Sequence, residues 1–122
     1  MFFKRKIKTD ETSSMKTELI INEVELKIEL ENLLKKEKSA EIYTKISKIY
    51  ELLKEDDKAI EYLEKCIVLD HSLGENHNRL MRLYNLKRRE AAESKDNDKI
   101  QYYMDKIDEL MKISKDTIRG KL

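Results

Sequence analysis

The feature that most constrains this chain is what it lacks between its apolar segments. There is no proline, and the only glycines are Gly74 and Gly120. A sheet needs a turn between successive strands, and such turns draw on glycine and proline for backbone angles that other residues resist. A chain of 122 residues with no proline and only two glycines is steered toward helices joined by short polar links. The residue alphabet, dominated by Glu, Lys, Leu and Ile, points the same way. The expected fold class is all-α. Hydrophobic residues make up 39% and charged ones 42%, which suits a single domain with a thin core.

Residues 1–14 (MFFKRKIKTDETSS) carry no helical period and read as a basic, flexible tail. Residues 15–36 are rich in helix formers. Met15, Leu19, Leu26, Leu30, Leu33 and Leu34 fall on one side of a helical wheel, and Ile20, Ile21, Val24 and Ile28 on the other side of its first half. Within 19–30, however, Val24, Leu26, Ile28 and Leu30 alternate with polar residues, which is also a strand pattern. A lone strand would have nowhere to send its backbone hydrogen bonds, which favours a helix with two apolar faces. Two faces need two neighbours: the rest of the domain and, as one expectation, a second copy, giving a homodimer through helix 15–36.

Four further helices are expected. Ser39 caps one at 40–54, Asp56 or Asp57 the next at 57–70, and Ser72 with Glu75 forms a Ser-x-x-Glu capping box for a third at 73–93. Asp96 or Asn97 caps the last at 98–118, where Ile100, Tyr103, Met104, Ile107, Leu110, Met111 and Ile118 form one stripe before Gly120 at the C-cap.

A repeat runs through these helices. From Tyr43 the chain reads Tyr43-x2-Ile46-Ser47-x2-Tyr50, then Ala59-x3-Leu63-x2-Cys66, then Leu69-Asp70-His71. Small residues (Ser47, Ala59, Cys66) stand where two helices would cross, and large ones (Tyr43, Ile46, Tyr50, Leu63) surround them. Thirty-four residues on, the first half recurs, with His77 for Tyr43, Leu80 for Ile46, Met81 for Ser47 and Tyr84 for Tyr50. The second half recurs at an offset of forty, with Ile100 for Ile60, Tyr103 for Leu63 and Ile107 for Ile67. Lys99 and Lys106 now stand where Ala59 and Cys66 stood, so the second hairpin should be splayed or lengthened.

This pattern resembles the tetratricopeptide repeat, a helix-turn-helix of about 34 residues with the signature W-x2-L-G-x2-Y followed by A-x3-F. The resemblance implies antiparallel helical hairpins, about five helices in all, in one domain spanning 15–122. Residues 15–36 would be a capping helix, 40–73 a first repeat and 74–118 a degenerate second one. It also implies a groove lined by the first helix of each unit, binding a peptide or helix of a partner protein. The groove positions would be Glu41, Thr44, Lys48, Glu51 and Leu52, then Glu75, Asn78, Arg82, Asn85 and Leu86. Lys48, Glu51, Asn78, Arg82, Asn85 and Arg89 are the expected partner-binding residues. An asparagine amide both donates and accepts toward a peptide backbone, and an arginine can grip a carboxylate with two parallel bonds. The alternative is that this stripe is only the solvated face of an amphipathic helix.

Charge is segregated along the chain although the net charge is only +1. Residues 79–89 hold Arg79, Arg82, Lys87, Arg88 and Arg89 with no acid, while 10–31 hold seven acids against Lys16 and Lys27. The basic stretch could meet nucleic-acid phosphates, although the near-neutral chain argues against it, or the acidic helix 15–36. Phe2, Phe3, Lys4, Arg5 and Lys6 combine aromatic and basic side chains, a composition suited to weak contact with an anionic membrane surface. No stretch approaches the apolar length of a membrane span, and Cys66 is the single cysteine, so a cytoplasmic, reducing location is expected. His71 and His77 have no companion set of metal ligands, and no phosphate loop or nucleophile motif is present. The chain is therefore expected to be no enzyme and to need no cofactor or metal.

Overall fold

The structure, a computed structural model, describes residues 20, 22–71 and 74–120. Five helices lie within them. These are α1 at 22–34, α2 at Ala40–Leu52, α3 at Asp56–Leu69, α4 at Glu75–Glu93 and α5 at Asn97–Ile118. The strand reading of the first apolar segment fails for residues 22–30, which are helical. The part of the expected helix 15–36 that precedes residue 20 lies outside the described residues, as do the tail 1–14 and Ser72.

Helix starts follow side-chain chemistry only in part. Ser39 accepts from the backbone N–H of Ile42 at 3.2 Å and opens α2, and Asp96 accepts from the N–H of Lys99 at 3.1 Å and opens α5. For α3 the cap is Glu55 rather than Asp56 or Asp57, without a side-chain cap bond; both aspartates lie in the first turn, where a carboxylate favours the helix dipole. For α4 the cap is Gly74, so Glu75 is the first helical residue and not the third, and the expected capping box does not form.

Both hairpins are closed by the same three-residue turn. At the end of α2, Glu55 N–H bonds Tyr50 C=O at 2.9 Å and Lys54 N–H bonds Glu51 C=O at 3.0 Å. At the end of α4, Asp96 N–H bonds Ala91 C=O at 2.9 Å and Lys95 N–H bonds Ala92 C=O at 3.1 Å. This pair of bonds is the Schellman arrangement, and it demands a left-handed residue in the middle. Lys54 and Lys95 occupy that position at φ 61° and 58°. The second hairpin is therefore lengthened through its arms and not through its turn. Helix α4 has 19 residues against 13 in α2, a difference of six that accounts for the extra residues in the second unit.

Packing begins at the small residues. Ser47 and Ala59 are wholly buried and Cys66 nearly so, which lets α2 and α3 approach closely. The Ser47 hydroxyl is satisfied by the carbonyl of Thr44 at 2.7 Å. Leu30 and Leu33 of α1 pack on Ile46 and Ile49 of α2. Ala59, Ile60, Leu63 and Ile67 of α3 pack with Leu80, Leu83 and Tyr84 of α4 and Leu110 of α5. The helices form adjacent antiparallel pairs, α2 with α3 and α4 with α5, and α3 also packs on α4. Lys106, at the position where a small residue was absent, is half-buried. Its ammonium reaches Glu64 at 3.7 Å and lies 5.7 Å from the Tyr102 ring centroid, a long stem packing along the surface with its charge at the edge.

Candidate functional site: the face shared by α2 and α4

The first helices of the two hairpins lie side by side and run in the same direction. Thr44 and Lys48 meet Asn76 and Glu75 at the start of α4, and Glu51, further along α2, meets Arg79 and Arg82 further along α4. Lys48, Glu51, Leu52, Glu75, Arg79 and Arg82 line a shallow depression of about 410 Å³ between them.

The centre of this face is the Glu51 carboxylate. Its Oε1 accepts from Arg79 Nε at 2.9 Å and from Arg79 Nη2 at 2.5 Å, and its Oε2 accepts from Arg82 Nη2 at 3.0 Å. Burial pushes the Glu51 carboxyl upward, but the hydrogen bonds and charges of Arg82 and Arg79 outweigh it and hold the group below its ordinary value. The two arginines differ in kind. Arg79 is 8% exposed, and its Nη1 also donates to Asn76 Oδ1 at 3.2 Å. The Arg82 side chain is 61% exposed, so it holds Glu51 with one nitrogen and presents the rest of its guanidinium to solvent. Beneath the face, Asn76 Nδ2 donates to Thr44 Oγ1 at 2.8 Å and to Cys66 Sγ at 3.2 Å, tying α4 to the α2–α3 crossing.

The expected partner-binding residues are brought to this one side unequally. Lys48, Glu51 and Arg82 surround the depression. Asn78 and Arg89 are exposed, and their spacing places them on the same side of α4 as Arg82. Asn85 is half-buried and donates to the carbonyl of Met81 at 3.1 Å, which occupies part of its amide. Two of the positions implied by the resemblance prove structural. Thr44 is engaged by Asn76 and Cys66, and Leu86 packs against the core. The sequence marks Arg79 only as part of the basic stretch, whereas in the fold it grips Glu51 together with Arg82.

The basic stretch is largely neutralised within the chain. Arg79 and Arg82 are taken by Glu51, and Lys87 pairs with Asp57 at 3.2 Å and with Glu90 at 3.4 Å. Among the described residues its partners are thus carboxylates of α2, α3 and α4 and none of α1, which corrects the within-chain pairing expected from sequence. This leaves Arg88 and Arg89 as cations without an ion-pair partner among the described residues. Phe2, Phe3, Lys4, Arg5 and Lys6 lie outside the described residues. Among those described, no helix is long and apolar enough to cross a membrane, and no group of three or more His, Cys, Asp or Glu residues could hold a metal ion.

Residues 40–70 match the family model for the tetratricopeptide repeat. Those residues cover α2, the Schellman turn and α3, so this hairpin is one tetratricopeptide repeat. Repeats of this kind serve in general as protein–protein interaction scaffolds and are typically not catalytic. Neither curated proteins nor solved structures give a match.

Proposed function

We propose that this chain is a non-catalytic, cytoplasmic adaptor that binds a peptide or a helix of a partner protein across the α2–α4 face. The observation that carries the reading is the Glu51 clamp. A carboxylate at the floor of the depression holds two guanidiniums in place, and one of them remains mostly open to solvent. A cation oriented before binding loses less side-chain freedom when it meets a ligand. Around it stand an exposed ammonium (Lys48), an exposed amide (Asn78), a second exposed guanidinium (Arg89) and an apolar side chain (Leu52). A peptide backbone and its side chains call for this mixture of donors, acceptors and one apolar contact.

In this reading α4 and α5 act as a degenerate second repeat, and residues 15–122 work as one domain with α1 as its cap. Nuclear magnetic resonance tests the surface directly. When a peptide selected from a displayed library is added to the labelled chain, resonances of Lys48, Asn78, Arg82, Asn85 and Arg89 shift while those on the outer side of α3 do not. Shifts confined to other surfaces would contradict the proposal.

A further inference from the structure

Glu51 stands one residue from the end of α2 and meets Arg79 and Arg82, so the later part of α4 runs on past the helix beside it. Residues 76–89 hold Arg79, Arg82, Lys87, Arg88 and Arg89 and no acid. Within the chain Glu51 takes Arg79 and part of Arg82, while Asp57 and Glu90 take Lys87. Arg88 and Arg89 have no ion-pair partner among the described residues. Acids do border this stretch. Glu75 precedes it and is held by Lys48 at 3.7 Å. Glu93 follows it and makes no ion pair with Arg89. At Glu51 itself one carboxylate faces two guanidiniums, which leaves one positive charge there. The stretch therefore keeps two positive centres, one at Arg82 and one at Arg89.

On a helical wheel Asn78, Arg82, Asn85 and Arg89 fall within a sector about 60° wide, amide and guanidinium alternating. Asn78 is exposed, and its amide makes no hydrogen bond among the described residues. Asn85 uses one N–H on the Met81 carbonyl and keeps its Oδ1 free. Amides that both donate and accept suit a backbone whose own N–H and C=O groups are open. An α-helix has closed those groups on itself, so an extended segment answers the amides better. Arg82 and Arg89 are seven residues apart, about 10 Å along α4. In a polyproline II segment every third side chain returns to the same side after about 9 Å. Same-side spacings in a β-strand are about 7 and 13 Å, and neither matches.

We propose that this face takes an extended acidic segment in the polyproline II conformation. Two of its carboxylates, three residues apart, lie on Arg82 and Arg89, and its backbone lies on the Asn78 and Asn85 amides. This rests on the reading that a partner segment binds the α2–α4 face. The acidic pair is internal to the segment and needs no chain terminus.

Fluorescence anisotropy with the full chain tests the spacing. The probes are labelled peptides of one composition, capped at both ends, with alanine and proline around two glutamates set two, three or four residues apart. The three-residue spacing binds about tenfold tighter than either of the others, and its affinity falls as salt is raised. Arg89→Glu, at an exposed position and checked for helicity, removes that preference; Arg89→Gln does the same if the glutamate disturbs the helix. Of the two peptides in which one glutamate becomes lysine, one binds Arg89→Glu better than it binds the wild type. Equal affinity for the three spacings, or a preference that survives both Arg89 variants, overturns the proposal. So does tighter binding of single-stranded oligothymidylate than of any of the peptides at the same salt, which would make the stripe a nucleic-acid surface. Binding by none of the peptides overturns it as well. A library-selected peptide that still shifts the face in magnetic resonance then leaves the α2–α4 reading standing, and the absence of any such shift ends both.

Discussion

Arg79 and Glu51, on different hairpins, form a buried ion pair between α4 and α2. The Arg79 guanidinium is buried and reaches one carboxylate oxygen through both Nε and Nη2, at 2.9 and 2.5 Å. The same carboxylate holds Arg82 through its other oxygen. One residue of the tetratricopeptide repeat at 40–70 therefore helps to hold the hairpin that follows it and orients the cation that hairpin displays.

Removing Glu51 strands a buried guanidinium, and the cost of an uncompensated buried charge dominates that of the lost pair. Glu51→Ala should destabilise the chain by about 2 kcal/mol in urea unfolding. Arg82→Ala, which removes only an exposed partner, should cost no more than about 0.5 kcal/mol. Equal effects of the two changes would contradict the division of roles between Arg79 and Arg82.

The clamp also gives a direction to the pH dependence. The Glu51 carboxyl is held below its ordinary value in the folded chain, so its stabilising effect is full above the unfolded carboxylate pKa. Below that value the unfolded chain takes up the proton first, and the contribution is lost as pH falls through the folded pKa. The melting temperature of the wild type should exceed that of Glu51→Gln above about pH 5, and the gap should shrink on acidification from there. A gap that is constant or widens would show that Glu51 is not held as described.

Close approach of α2 and α3 rests on the small residues Ser47, Ala59 and Cys66, all buried. Ala59→Leu should therefore cost about 2 kcal/mol by overpacking. Lys99→Leu, at an exposed position in the first turn of α5, should change stability by no more than about 0.5 kcal/mol. Chemical denaturation of the two variants checks the contrast.

The matching Schellman turns hold a lysine where the backbone is left-handed, at φ 61° and 58°. A side chain is strained there and glycine is not. Lys54→Gly and Lys95→Gly should each raise stability by about 0.5–1 kcal/mol, seen as a higher melting temperature. A lower melting temperature for both would mean that the lysine side chains contribute contacts outweighing the strain.

The all-helical class, the crossing of Ser47, Ala59 and Cys66, and the caps at Ser39 and Asp96 were legible because each depends on local chemistry or on a short spacing. The helix starts at Glu55 and Gly74 were less so. Neither cap is held by a side-chain bond, and the more obvious candidates nearby (Asp56, Asp57, Ser72) drew the expectation. The extra length of the second unit was visible as a change of offset, but its placement in the arms depends on Lys95 adopting a left-handed backbone, for which lysine gives no signal. At the candidate site Glu51 and Arg82 could be placed on one face from spacing alone. Their pairing, and the part played by Arg79, depends on how far α4 is shifted along α2. That shift is set by how α3 packs beneath both helices, and no residue pattern within either helix encodes it.

The most direct test of the account is calorimetric titration of a library-selected peptide into the wild type and into the double variant Arg82→Glu, Arg89→Glu. Circular dichroism should show both to be helical, since Glu51 keeps its bond to Arg79. The account predicts at least a tenfold loss of affinity in the double variant, about 1.4 kcal/mol or more. Unchanged affinity in a folded double variant would contradict the assignment of partner binding to the α2–α4 face.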